Sequence, residues 1–333
     1  MAYSGVAKVQ HYVPQFLLRN FGNGKKDQLN VFDKHNGRSF PTNAKNVASE
    51  SRFYDFRLGE QESTLEPFLS KLEGEMKPLL EKILDQDSVA FLSDGERNLV
   101  AEFLAIQFTR TKAFREQLTD IPKKMGEILV SRFGSKIDTF LQLQEFIEAR
   151  DANDIKIQAA QFIATAPREF GPHFLNKDWF LVATSRKDPF IIGDNPLALQ
   201  NSHDTGWFGN LGLAVKGIEI YFPISPSRAL AIWCPSHKEK IIGALNQLRY
   251  LRSISPTIVS ENIKNPEGIE KLGQAVLSGV PLNYDNNNVR NFNSLQVRHA
   301  ERFLFSSVDD FALPKEMLNA HPSLRNGMRM KYS

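Results

Sequence analysis

Along this 333-residue chain the spacing of apolar positions changes from extended to helical, then to β, then back to helical. In residues 10–21, QHYVPQFLLRNF, the residue before Pro14 is pushed towards extended backbone. Pro14 suits the opening of a short helix that carries Phe16, Leu17 and Phe21 and ends at Gly22–Gly24. Residues 29–40 read as a hairpin, with Leu29 and Val31 on one face and Asn36-Gly37 at the turn. Phe53–Phe56 adds a short strand.

From about residue 62 the period is helical. Leu65, Phe68, Leu69, Leu72, Met76, Leu79, Leu80 and Ile83 keep a three–four spacing. Ser93-Asp-Gly-Glu96 is a capping box that predicts a second helix over 94–118, and further helices are predicted over 121–149 and 151–166. Pro167, Gly171 and Pro172 mark a junction, after which 179–184, 190–192, 218–222 and 229–233 read as strands. Helices return at 236–251, 266–278 and 286–300, before a strand at 302–305.

The pattern predicts an α+β fold. A mixed or antiparallel sheet is formed by the N-terminal hairpin and the C-terminal strands, with a large helical insertion. The segments are an N-terminal hairpin part at 1–60, a helical block at 61–170, and an α+β part at 171–333 that shares its sheet with the first.

Charge sharpens this division. The chain carries 41 Lys and Arg against 38 Asp and Glu, a formal net charge of +3. Residues 1–58 hold a net +5 and residues 286–333 a net +3, whereas 59–285 hold −5. Bulk charge therefore argues against wholesale nucleic-acid binding, but two basic ends brought together by the fold would form one basic surface. The single cysteine, Cys234, excludes an intramolecular disulfide. The first residues hold no apolar run suited to a signal peptide, and no stretch reaches the length of a membrane span. A cytoplasmic protein with no membrane partner is the expectation; the oligomeric state is not legible.

Walker A, GxGxxG, HExxH, GxSxG and CxxC patterns are all missing, and no two of the seven histidines share helix-neighbour spacing. The candidate residues are therefore polar groups set among apolar ones. Gln107 and Arg110 lie three apart within the apolar run AEFLAIQFTR, either clamping a neighbouring backbone or lining a site. Asp194, in Gly193-Asp194-Asn195-Pro196, follows an apolar strand, as a metal ligand or base often does; the same residues also build plain Asx turns. His11 can serve as an acid or base, or simply pack. Asp33 interrupts an apolar strand. Arg290, with Asn293 and Val297, forms one stripe of a helix that is polar on two faces, which fits a solvated helix or a ligand-facing one.

Four of these pieces occur together: QHYVPQFLLRNF at 10–21, VFDK at 31–34, GDNP at 193–196 and FPISP at 222–226. The combination resembles a prokaryotic family of unknown function that opens on HYVPxFxLRxF and later carries (S/G)DNP. The resemblance runs over nearly the whole chain, through NVASESRFYD, LEGEMKPLL and VRNFNSLQVRHAERFLFS. Leu17 stands where an aromatic is frequent in the family, and Gly193 where Ser is frequent. The resemblance implies a shared fold and transfers no established activity. It implies a place among antiviral defence genes for some members, and so a toxic effector.

The matching positions are His11, Pro14, Arg19, Asp33, Asp194, Asn195 and Pro196. Two functions are expectations at this level. One is a defence-associated hydrolase, a metal-assisted nuclease in which Asp33 and Asp194 hold Mg²⁺ or Mn²⁺ and no organic cofactor is needed. In it His11, Asp194 and Arg110 are catalytic, and Arg19, Gln107, Asn195 and Arg290 bind substrate. The other is a non-catalytic module that senses or binds nucleic acid or protein.

Overall fold

The computed structural model describes residues 6–24, 27–133, 151–201, 211–255 and 262–328, together with Thr257 and Val259. Strand β1 (Val9–His11) pairs antiparallel with β4 (Ser49–Ser51), and helix α1 (Gln15–Arg19) follows Pro14 as the sequence predicts. Strands β2 (Gln28–Asp33) and β3 (Arg38–Asn43) form the hairpin. Its loop closes by a bond from Gly37 N to Asp33 O at 2.8 Å, with Gly37 at φ +73°. A second small hairpin joins β5 (Asp55–Leu58) and β6 (Gln61–Thr64). β6 escaped the periodicity because Gln, Glu, Ser and Thr carry no apolar alternation.

Helix α2 (Glu66–Gln86) buries the predicted stripe, Leu69, Leu72, Met76, Leu79, Leu80 and Ile83, while Phe68 of the same stripe stays exposed. Helix α3 (Asp94–Thr109) starts at the predicted box: Ser93 Oγ accepts from Glu96 N, and Glu96 answers from Ser93 N at 2.9 Å. It stops nine residues short of the expected 118. Thr111 Oγ1 accepts from Phe114 N at 3.2 Å, a fresh N-cap that starts α4 (Lys112–Phe133), a break the apolar period could not reveal. The remainder of the helix predicted over 121–149 lies outside the described residues.

Helix α5 (Ala152–Glu169) has a capping box of its own, Asp151 with Asp154, and it carries Pro167 within its last turn rather than breaking there. The short helix α6 (Gly171–Leu175) completes the block.

The later chain contributes to two sheets, where one was expected. The larger has the order β12-β7-β11-β10-β9: Leu282–Asn283, Asp178–Ala183, Arg228–Trp233, Glu219–Ser225 and Ala198–Gln200. All its pairings are antiparallel except β12 with β7, so the sheet is mixed. The other has the order β3-β2-β13-β8, with β13 at Phe303–Ser306 and β8 at Ile192–Gly193. Asp33 stands opposite Phe303, so the two ends of the chain do meet in one sheet. Helices α7 (Pro235–Ile254), α8 (Pro266–Ser278), α9 (Asn286–His299) and α10 (Ala312–Ala320) complete the fold.

One apolar cluster joins all three stretches of the chain. It contains Tyr12, Leu17, Phe21 and Val31 from the first, Phe103 and Leu104 from the second, and Leu181, Ile220, Phe222 and Phe305 from the third. The abundant phenylalanines are its filling, as the composition implied. α3 is buried on most sides and forms the axis of the core.

The polar face of α9 departs from a solvated helix. Asn293 Oδ1 accepts from Ile191 N at 3.0 Å and its Nδ2 donates to Pro189 O. Gln296 Oε1 accepts from Gly193 N at 2.9 Å and its Nε2 donates to Pro196 O. The two amides act as a surrogate strand edge for residues 189–196. Gly193 packs closely there: a Cβ would lie 2.9 Å from the Ala300 methyl carbon, so a side chain at 193 requires Ala300 to shift. Gln296→Leu keeps the volume but orphans a buried N–H and a buried carbonyl, each costing ~1–3 kcal/mol, so urea unfolding should show a loss of about 3 kcal/mol.

Candidate functional site

The predicted residues gather into two groups. The first surrounds residues 300–303. Asp33 receives Arg302 in a bidentate pair, Nε to Oδ1 at 3.1 Å and Nη2 to Oδ2 at 2.7 Å, while His35 N and Asn36 Nδ2 fill the remaining directions. Burial works against the Asp33 carboxylate, but the Arg302 and His35 bonds hold its pKa below the ordinary value.

Asp194 is buried and accepts three backbone amides: Glu301 N at 2.6 Å, and Arg302 N and Phe303 N both at 2.9 Å. Burial raises its pKa to about 6 even though those donors favour the charged form. Lys34, fully buried, donates to Val297 O at 2.7 Å and to Ala300 O, closing the C-terminal end of α9. Asn195 Nδ2 donates to His299 O. His299 donates from Nδ1 to Leu295 O and accepts from Leu199 N at Nε2.

This group is a clamp made of VFDK, GDNP and the closing motif. Every oxygen of Asp33 and Asp194 already accepts an internal hydrogen bond, so the pair is not arranged as the expected Mg²⁺ or Mn²⁺ site. Among the described residues no group of three or more His, Cys, Asp or Glu is placed to hold a metal ion.

The second group surrounds residues 10–12. Gln107 and Arg110 reach from α3 and its C-cap to grip the strand that carries His11. Gln107 Nε2 donates to Tyr12 O at 3.0 Å, and Arg110 Nη2 donates to His11 O at 2.7 Å. Arg110 Nε donates to the Tyr54 hydroxyl at 3.0 Å, and Glu73 Oε1 meets Arg110 Nη2 at 2.7 Å. Burial opposes the guanidinium charge, but Tyr54 and Glu73 more than offset it and raise the Arg110 pKa.

On the other side, Arg19 Nη2 donates to Gln15 Oε1 at 3.2 Å, which turns the Gln15 amide nitrogen towards His11 Nδ1 at 3.3 Å. Neutral His11 thus accepts at Nδ1 and carries its proton on Nε2. Burial lowers its pKa below 6.5, while the Lys45 backbone and Glu73 pull the other way.

These anchors leave capacity unmet. His11 Nε2, Arg110 Nη1 and Gln107 Oε1 are all buried and have no hydrogen-bond partner among the described residues. A buried donor or acceptor left idle is uncommon and costly, and such groups concentrate where a ligand or reaction will use them. Sequence reasoning named these three residues and missed the acids beside them. Glu66 and Glu73 lie seven apart on one face of α2. Burial raises the Glu66 pKa to about 7, with Arg110 pulling it down and Glu73 and Asp55 pushing it up. Tyr54 was also missed. The signal for the acids was their spacing beside the apolar stripe, which reads equally well as a solvated face.

Asp55 links this group to a cleft of about 490 Å³ lined by Arg52, Arg57, Asn153, Lys156 and the acids Glu62 and Asp151. Asp55 lines the cleft, accepts from Gln10 Nε2 at 2.7 Å, and pairs with Arg52. Arg290 belongs to neither group; it pairs with Glu316 on α10. Tyr12 sits between the two groups, its phenol pKa raised by burial and then by Asp194 and Glu50.

The sequence profile described as "Protein of unknown function (DUF4238)" matches residues 9–310, a span that includes both groups. The chain belongs to this family. No curated protein and no solved structure matches it. In this DUF4238 chain the family match begins at β1 and ends beyond β13, the strands that carry His11 and the clamped Phe303. Among the described residues no helix is long and apolar enough to cross a membrane.

The clamp generates a pH prediction. Burial, with Lys34 and Arg298, lowers the His299 pKa to about 4 against the Leu295 bond. As pH falls from about 6.5 to 4 the unfolded chain takes a proton that the folded chain refuses, so this contribution is complete above 6.5 and fades below it. His299→Gln should lower stability at pH 7.5. Its deficit against wild type in urea unfolding should shrink by about 3 kcal/mol at pH 4. A deficit that does not change with pH would show that His299 titrates alike in both states.

Proposed function

We propose that this DUF4238 chain is a hydrolase of phosphodiesters that works by acid–base chemistry at the His11–Glu66–Glu73–Arg110 group. The observation that carries the reading is the pair of idle buried donors, His11 Nε2 and Arg110 Nη1, in the same cluster as a carboxylic acid whose pKa is near 7. The two donors suit the non-bridging oxygens of a phosphate, where charge develops as water adds. Glu73 accepts the proton of the attacking water as the new P–O bond forms. Glu66, protonated below about 7, gives its proton to the leaving oxygen as the old P–O bond breaks. Arg52, Arg57 and Lys156 of the adjoining cleft suit the neighbouring phosphates of a nucleic-acid strand. In antiviral defence, the setting the family resemblance implies, such cleavage would be the toxic step.

The depth of the cluster favours a second reading. Arg110 is 2% exposed and Gln107 fully buried, as befits groups that only hold the N-terminal strand. The protein would then bind nucleic acid at the cleft without cutting it.

Incubation with single-stranded RNA and DNA separates the two. Hydrolysis predicts cleavage that declines above pH about 7, where Glu66 loses its proton, and that falls at least ~100-fold in Glu66→Gln with retained binding. EDTA should leave the rate unchanged, because Asp33 and Asp194 are engaged in the clamp. Salt-sensitive binding without cleavage by wild type would favour the second reading. Cleavage that Glu66→Gln leaves intact would remove this site from the chemistry.

A further inference from the structure

A second cavity, of about 510 Å³, lies against the larger sheet, with lining residues from β9, β10, β11 and β12 and from α8 and α9. It shares no residue with the His11 group, and its size is that of small-molecule sites. Its floor is a carboxylate held in place by neighbours. Glu219, whose side chain is 15% exposed, accepts at Oε2 from Gln200 Nε2 at 2.7 Å and from the Tyr221 hydroxyl at 2.8 Å. Tyr284 in turn donates to Tyr221 at 3.4 Å. Gln200 and Tyr221 thus converge on one oxygen. The other, Oε1, has His237 Nε2 no nearer than 3.7 Å, and that nitrogen is 2.9 Å from Gly217 O, to which it donates. Oε1 therefore makes no hydrogen bond among the described residues.

The walls are aromatic. Tyr221 packs edge-on against Trp233 with centroids 6.3 Å apart, and against Phe292 at 5.5 Å; all three rings line the cavity with Tyr284. Glu267 and Asp285 stand at its border with a single base, Lys271, so acids outnumber bases three to one and a phosphate or carboxylate ligand would be repelled. A fixed carboxylate with one unengaged oxygen, in a cavity lined by four aromatic rings, is suited to an organic cation: N–H donors meet the oxygen, and the alkyl part and charge meet the rings.

We propose that this cavity is a binding site for a small organic ammonium ion. The test is calorimetry on the full chain with two amines and their neutral counterparts: choline against 3,3-dimethylbutan-1-ol, and benzylamine against benzyl alcohol. At least one amine should bind with Kd below about 5 mM, and its neutral counterpart at least ~10-fold more weakly. Glu219→Gln should weaken the amine by at least ~10-fold with little change in melting temperature. Lys271→Glu alters only an exposed border residue, so it decides the matter if Glu219→Gln does not fold; it should tighten the amine roughly 2- to 3-fold. Failure of both amines to bind below that concentration, equal binding of the neutral counterpart, undiminished affinity in a folded Glu219→Gln, or affinity not increased by Lys271→Glu would each overturn the proposal.

Discussion

The fold depends on a constraint at residues 300–303, where helix α9 has ended and β13 begins. A backbone leaving a helix and entering a sheet exposes carbonyls on one side and amides on the other, and here both lie in the interior. Lys34 takes the carbonyls of Val297 and Ala300; Asp194 takes the amides of Glu301, Arg302 and Phe303. The two charges come from sequence regions 160 residues apart, and Asp33 adds the Arg302 side chain. Burying these charges is tolerable only because each is saturated with hydrogen bonds. The hairpin, the GDNP turn and the closing motif therefore have to assemble together or not at all.

The Arg110 group contrasts with this clamp. Both bury charge, and both tie distant segments to one short stretch of backbone. The clamp satisfies its hydrogen-bonding atoms, whereas the Arg110 group leaves three side-chain atoms idle within the same few residues. Evolutionary cost in stability is more readily understood where it serves chemistry or recognition, which is why the functional reading rests on the unsatisfied group. The positive charge at the two chain ends is partly consumed by structure: Lys34 and Arg302 serve the clamp, and Arg325 donates to the Lys34 and His35 carbonyls.

Local chemistry made part of this legible. Pro14, the Asn36-Gly37 turn and the Ser93–Glu96 box each act within a few residues, and each appears where the sequence places it. The strand 190–192 was harder, because only Ile192 and Gly193 pair as β8 and the rest of the segment bonds to side chains of α9. The break at Arg110 was hidden because Thr111 can cap a helix or sit within one. Asp33 and Asp194 read as metal ligands since sequence shows which residues are acidic, not which donors fill their oxygens. Asp33 caps its own turn through His35 N and Asn36 Nδ2, whereas Asp194 binds the distant amides of residues 301–303, a role that neither the metal nor the Asx-turn reading foresaw. His11, Gln107 and Arg110 were identifiable because polar groups in apolar runs need partners; Glu66 was not, since its altered acidity arises from α2 settling beside Arg110.

The pairing of Asp33 with Phe303 has a consequence for synthesis on the ribosome. The inner strand of the hairpin sheet waits about 270 residues for its neighbour, which at about 5–20 residues per second is roughly 15–50 s. Throughout that interval β2 has one edge without its native partner, and its Val31 and Phe32 cannot yet be enclosed. An unpaired strand edge is a template for pairing with other chains. The nascent chain is thus most vulnerable to misassociation until residues 303–306 emerge, and chaperone demand should be set by the 28–43 hairpin rather than by the helices made after it.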